Sequence, residues 1–477
     1  MKNTKLIKVL KTFSRSEALK FREFVLSPFY NKNRSVMKLC EEVLRFHPDY
    51  NTDELSDENI FRKVFGNEKY EYFKIKNIIS DLYQLSEMFL KTSAFLKKDL
   101  ENEIDLLNEL HERNLDTLYI QKEKQLRKKL DAAVRDEIFF YAKYLHAKLN
   151  TSHFKFEKTG YLFGQIQNEF DTLFDFSLTS LLKLYAKMLH NKNHGNVNFD
   201  MKMFDSVRDY IKDRQFEDNP SVQIYRQSIN LELSKDEKDY RTLLDLKKKF
   251  ADRLSDEDIY YILLVTNSYS VYRLKLGDVS YYKDRFKSLA EILERKFIPD
   301  NNFLFVNFIS TFTSACMAGE TDWAVNFLES HQNSISPQEE NHNTVNYCRG
   351  FLAYRLNDYE SALDYFSRTN FRLFLMKVMV KSYTLRIYYE QDMHEQTLSA
   401  IDAFRHYLKS EDQIADEQKI AHYEFLKFIS ELTRLKLDGV KKNNDSRLVI
   451  LRKEINKMHS NPLGSKNWLI EKSENFL

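Results

Sequence analysis

Gly350-Phe351-Leu352-Ala353-Tyr354-Arg355-Leu356-Asn357-Asp358-Tyr359-Glu360-Ser361-Ala362-Leu363-Asp364-Tyr365-Phe366 reads as two helices joined by a tight turn. Asn357 tolerates the left-handed backbone that ends a helix, and Asp358 favours the positive N-terminal end of the next one. The small residues Gly350 and Ala362 let the two helices approach closely. Phe366 fills the gap toward the following pair.

Working outward, the same hinge recurs at Gly277-Asp278, Gly319-Glu320 and Gln391-Asp392. With Asp358 included, the acidic members lie 42, 38 and 34 residues apart. That is the period of helix–turn–helix arrays. The stretch from Gly350 resembles the tetratricopeptide signature, with Gly350 and Ala353 at small positions of the first helix, Asn357-Asp358-Tyr359 as the turn, and Ala362 and Phe366 in the second helix. A weaker copy has Gly319, Ala324 and Leu328, with Ser336-Pro337 near the family's usual proline. A third has Tyr388, Asp392, Thr397 and Ile401. The fourth, around Gly277-Asp278, carries bulky Tyr282 where a small residue is expected.

The resemblance covers about 260–410 and implies an α-solenoid that binds a protein or peptide on the concave face lined by its first helices. Carried over position by position, the contacts are Tyr347, Phe351, Tyr354, Ser382, Arg386 and Tyr389. The chaperone-tail subclass uses a Lys/Asn/Arg clamp, whereas the residues here are Ile309, Thr313, Cys348 and Met379, which argues against that mode of carboxylate clamping. Aromatic side chains at these positions equally suit packing between helices. The N-terminal block around Leu10–Ser14 and Ser27–Asn33 is also similar to uncharacterised bacterial proteins that carry such helical arrays; that similarity implies no activity.

Composition agrees with an all-α fold. The 477 residues include only 9 Gly and 6 Pro, where average usage puts roughly 12% of a chain in those types. Hairpin turns need Gly, Asn and Pro, and between Gly66 and Gly160 there is neither Gly nor Pro. At 43% apolar and 30% charged residues, the chain is too apolar for disorder and too evenly charged for a membrane protein. Cys40, Cys316 and Cys348 lie far apart among apolar residues and suggest neither disulfides nor a zinc set. The charged start and the lack of any ~20-residue apolar run lead to a cytoplasmic expectation.

Three segments are expected: an N-terminal helical domain over 1–95, a region of long helices over 96–195, and the repeat array over 196–477. In the first, Ser14-Arg15-Ser16-Glu17 is a capping box, and the helix after it stops at Ser27 before Pro28. Ser35 opens a helix with Val36, Leu39, Cys40, Val43 and Leu44 inward. Asp57–Phe65 closes at Gly66. A longer helix from about Lys69 to Phe95 turns Phe73, Ile78, Ile79, Leu82, Leu85 and Phe89 inward. Asn114–Asn150 reads as one long helix with a partner over 161–190, and the polar run 191–196 reads as the loop that divides the chain.

The search for chemistry leaves no catalytic, cofactor or metal residues to name. Gly160-Tyr161-Leu162-Phe163-Gly164 lacks the Gly-Lys-Ser/Thr of a phosphate loop. His190 and His194 have helical metal spacing, but Asn191 stands where a zinc peptidase has Glu, so they read as surface loop histidines. Glu339 and His342 make one Glu-x-x-His pair where a di-iron bundle needs two. The resulting expectation is a non-catalytic scaffold or adaptor for a protein or peptide partner, needing no cofactor.

One alternative is nucleic-acid binding. Residues 1–38 hold ten Lys/Arg, among them Lys2, Lys5, Lys8, Lys11, Arg15, Lys32 and Arg34, against Glu17 and Glu23, with Phe29 and Tyr30 able to stack on bases. A second basic run comprises Lys441, Lys442, Arg447, Arg452, Lys453 and Lys457. The other alternative is an enzyme without a recognisable signature, its residues assembled from distant positions.

Overall fold

Long stretches free of glycine and proline leave the backbone to hydrogen-bond with itself, and the computed structural model is accordingly all-α. It describes residues 1–153, 159–195, 197–299, 302–411, 416–440, 445–458, 460–474 and 476. By contacts the chain forms two compact units, Met1–Ala133 with Ile138–Leu173, and Val134–Glu137 with Phe174–Leu477.

The first unit contains α1 (Lys5–Leu10), α2 (Arg15–Leu26), α3 (Arg34–Leu44), α4 (Asp57–Phe65), α5 (Tyr72–Leu96), α6 (Asp99–Glu112), α7 (Asp116–Ala132), most of α8 (Glu137–His153) and the first part of α9 (Thr159–Gly195). Ser14 caps α2 in the expected box: its hydroxyl accepts from Glu17 N–H, and the Glu17 carboxylate accepts from Ser14 N–H. Asn33, two residues before Ser35, caps α3. Leu6, Ile7 and Leu10 of α1 join Phe21, Leu39 and Leu82 in the core. There the Phe13, Phe21 and Phe89 rings meet with centroids 5.4–5.6 Å apart.

Two expectations in this unit are corrected. Phe73 is 72% exposed. It precedes Ile75, which begins the inward stripe, by two residues, and at 3.6 residues per turn that places it on the opposite face. The supposed single helix 114–150 is broken between α7 and α8, where Ala133 takes an extended conformation. The backbone of Arg135 is engaged there, its N–H by Arg253 O at 3.1 Å and its carbonyl by Ser221 Oγ at 2.9 Å. Tertiary hydrogen bonds outweigh the local helix preference.

The second unit continues from α9 through α10 (Phe204–Ile211), α11 (Pro220–Ser234), α12 (Glu237–Lys249), α13 (Asp256–Lys275), α14 (Tyr281–Glu294), α15 (Phe305–Ala318), α16 (Thr321–His331), α17 (Asn341–Arg355), α18 (Tyr359–Ser367), α19 (Phe374–Glu390), α20 (His394–Ser410), α21 (Asp416–Leu437), α22 (Ser446–Asn456) and α23 (Ser465–Glu474). The strands β1 (Phe303–Leu304) and β2 (Ile335–Ser336) form a two-residue parallel bridge. The run 191–195 is the last turn of α9, with Asn196 outside the described residues. This turn stays helical because Asn193 Nδ2 donates to Glu232 O and Oε2, and His190 faces Glu232 Oε1 at 2.8 Å. His190 is therefore a paired helix residue, and the His194 side chain lies outside the described set.

The hinges carry left-handed backbone at Gly277, Gly319 and Asn357; in the fourth, Asp392 takes it in place of Gln391. Each is closed by a 6→1 hydrogen bond, Asp278 N–H to Arg273 O, Glu320 to Ala315, Asp358 to Ala353 and Met393 to Tyr388, at 2.9–3.1 Å. The helices on either side pack as pairs, α13 on α14, α15 on α16, α17 on α18 and α19 on α20, and the first helices touch in turn, α15 to α17 to α19. A methyl group added at Gly350 would lie 2.8 Å from the Phe366 ring, which is the close approach read from the sequence.

Candidate functional site

The first helices bring their inner sides together in the second unit, and a cavity of about 440 Å3 opens among them. Val271 and Leu274 of α13, Ser310 of α15, Phe351 of α17, Tyr383 of α19 and His422 of α21 are part of its wall. The chain's own C-terminal turn, Asn461–Gly464, is also part of the wall. It is anchored at both ends. Asn461 N–H donates to Lys275 O at 2.9 Å, and its Nδ2 to Leu274 O at 3.2 Å, a carbonyl that also accepts from Gly277 N–H at the end of α13. Beyond the turn, Asn467 Nδ2 donates to Gly277 O, and Trp468 Nε1 to Glu390 Oε1 at 2.9 Å.

This segment changes what the six carried-over residues can touch. Tyr347, Phe351, Ser382, Arg386 and Tyr389 are at most 4% exposed, and Tyr354 alone is partly open. Phe351 and Tyr354 both meet the Tyr383 ring, at 5.2 and 5.1 Å. Arg386 lies among the rings of Tyr383, Phe425 and Trp468, 5.1–5.6 Å from each centroid, and its Nη2 donates to Leu463 O at 2.9 Å. The aromatic positions thus serve packing between helices, and the arginine holds the chain's own turn.

Sequence reading missed the polar side of the cavity. Tyr282 and Arg285, both from α14, are in its wall. Arg285 Nη2 donates to Ser310 Oγ, and its Nε reaches Asn267 Oδ1 at 3.4 Å. Nη1 has no protein acceptor, and no carboxylate lies within ion-pair distance of Arg285 among the described residues. Burial, opposed only weakly by Tyr282, holds the Arg285 guanidinium below the usual arginine range. The Tyr282 hydroxyl is pushed up by burial, against the nearby charges of Arg285, Arg386 and Arg355. Neither Tyr282 nor Tyr383 finds a hydrogen-bond partner for its hydroxyl among the described residues. A signal for this site was present in the repeat: Tyr282 stands four residues after its hinge acid, where Ala324 and Ala362 stand after theirs.

In the first unit, Lys5, Lys8, Lys11, Arg15, Lys32 and Arg34 are exposed and carry no ion pair among the described residues. Lys2 is paired with Asp53 at 2.8 Å. Phe29 is 85% exposed, while Tyr30 stacks on Phe24 at 3.9 Å. Of the second basic run, Arg447 pairs with Asp438 and Asp445, and Arg452 donates to Ser473 O; Lys441 and Lys442 lie outside the described residues. All three cysteines are buried thiols. No group of three or more His, Cys, Asp or Glu able to hold a metal occurs among the described residues, and no helix among them is long and apolar enough to cross a membrane. Comparison with protein-family models, with curated proteins and with solved structures finds no match to this chain.

Proposed function

We propose that this chain is a cytoplasmic, non-catalytic adaptor whose tetratricopeptide-like array in the second unit binds a segment of a protein partner on the side lined by α13, α15, α17, α19 and α21. The observation that carries this reading is the C-terminal turn. These helices already receive an irregular stretch of polypeptide there, through a guanidinium on a backbone carbonyl and an asparagine on two helix-end carbonyls. Such backbone-directed contacts accept many sequences, and a partner segment would compete with the resident one. The test is affinity capture from the native cell with the full chain, its Asn461→Ala variant, and a synthetic peptide of residues 458–476 as competitor. The variant should capture more partner and the peptide should suppress capture; a partner whose capture responds to neither binds elsewhere.

A second reading, nucleic-acid binding by the first unit, is favoured by the six exposed cations without an ion pair among the described residues and by exposed Phe29. Phosphate contacts release counterions, so binding to a labelled single strand should weaken steeply from ~50 to ~200 mM salt. Absence of binding at low salt would remove this reading.

A further inference from the structure

We propose that the cavity beneath the Asn461–Gly464 turn is a binding site for a small amphipathic anion, with its carboxylate or phosphate head on Arg285 and its apolar tail along α15 and α19. This goes beyond the adaptor reading and stands on different residues.

The first ground is charge. Arg285 lies in the cavity wall with two neutral acceptors, and its Nη1 hydrogens are left over. A guanidinium carries five N–H donors and no acceptor, and an oxyanion is the group whose geometry answers it. No Asp or Glu is in the cavity wall. Arg355 and Arg386 act electrostatically on both Tyr282 and Tyr383, Arg285 also on Tyr282, and Tyr282 and Tyr354 on Tyr383, with no carboxylate among these neighbours. A partly buried cation without a counter-charge is costly to fold around. A ligand that supplies the missing charge offsets that cost.

The second ground is shape and surface. Ligand sites span roughly 300–1,000 Å3 and combine a mostly apolar wall with a few convergent polar groups. The cavity, about 440 Å3, has Val306, Ile309, Met317, Leu375, Met376 and Met379 on its apolar side. On its polar side Arg285 and Ser310 are joined by the Tyr282 and Tyr383 side chains, and a phenol without a partner is a ready donor to a second oxygen of the same head. Three of the six apolar residues are methionines, whose flexible side chains adapt to tails of different shape.

The experiment is isothermal titration of the full chain with decanoate and with decyl phosphate, against decanol and inorganic phosphate. Saturable binding of at least one amphipathic anion is expected, at least about 10-fold tighter than decanol and than phosphate alone; the stronger of the two anions identifies the head. Arg285→Met should weaken that binding about 10-fold or more, while the ligand-free melting temperature stays level or rises because a partly buried charge without a counter-charge has been removed. Arg285→Lys, which keeps the charge, should retain most of the affinity. The proposal is overturned if neither anion binds, if decanol binds as well as the anions, if inorganic phosphate binds as well as decyl phosphate, or if Arg285→Met binds like the native chain. Trp468 emission, read in a parallel fluorescence titration of the Trp323→Phe chain, should not shift to the red, since the ligand fits beneath the turn with the turn in place; a red shift would place the ligand on the turn's own seat and overturn the assignment.

Discussion

Gly350 and Glu232 illustrate the two kinds of residue on which the second unit depends, one for its lack of a side chain and the other for a buried charge. At Gly350 an added methyl group would press on Phe366 Cδ1 and Cε1 at 2.8 Å and on Tyr365 Cβ at 3.2 Å. The ring is itself only 3% exposed and has little room to yield. Gly350→Ala should therefore cost about 1–3 kcal/mol through overpacking, although alanine is the better helix former. Urea unfolding followed by circular dichroism would measure it, and a neutral or stabilising result would mean that α17 and α18 are not so closely apposed. Ala362, fully buried on the facing helix, should respond to Leu in the same direction. Glu232 is 4% exposed. Burial alone would raise its carboxyl, but hydrogen bonds from His190, Lys235 and Asn193 outweigh burial and bring it to about 2. A depressed carboxyl stabilises the fold fully above its unfolded value near 4.5 and loses that contribution as pH falls toward 2. On the order of 3 kcal/mol should disappear across that window. Glu232→Gln should flatten this part of the pH–stability curve, and an unchanged acid limb would contradict the assignment.

Among elements, the hinges separate what was legible from what was not. Gly277, Gly319 and Asn357 announce a left-handed residue by their type, and the structure has it at each of them. In the fourth hinge the acid itself, Asp392, adopts that conformation, because aspartate tolerates it better than glutamine does and the 6→1 bond from Met393 to Tyr388 fixes the position one residue later. Helix existence, caps such as Ser14, and inward stripes such as Ile78–Leu82–Phe89 are local properties and could be read. The break at Ala133, the helicity of 191–195 and the cavity could not, because each is set by partners far along the chain: Arg253 and Ser221, Glu232, and Asn461. The repeat pattern told which residues pack, but the occupant of the inner side is written in a segment with no repeat signature. The hinge geometry makes its own prediction. Gly319→Ala, at φ +91°, should cost about 1 kcal/mol, whereas Asn357→Gly, at φ +58°, should be nearly neutral. Asp358→Ala should lose about 1 kcal/mol by removing the cap on Ser361 N–H. Equal losses at Gly319 and Asn357, measured by thermal unfolding, would show that the hinges do not act through backbone conformation.

At the scale of the whole molecule, the second unit is closed by residues remote in sequence: Asn461 reaches Leu274 O and Asn467 reaches Gly277 O. One tryptophan, Trp468, sits in this closing segment, 7% exposed against Tyr389 and Phe425, and the only other tryptophan is Trp323. Trp323→Phe therefore leaves a single emitter that reports whether the segment is seated. In that background Asn461→Ala removes its side-chain bond to Leu274 O and the turn made by its Oδ1 with Lys466 and Asn467 N–H, while the backbone bond to Lys275 O remains available. Each buried hydrogen bond contributes about 1 kcal/mol net, and more where a buried partner is left unpaired. The segment then keeps Trp468 and Leu469 in the core and the Lys472–Glu390 pair but has lost the bonds that fix its turn, and it should release before the other helices unfold. The expected result is a red-shifted Trp468 emission at temperatures where the helical circular dichroism is still intact, with the native chain showing both changes together. Coincident transitions in the variant would mean that the segment is an inseparable part of the core, and a partner would then have no seat to compete for.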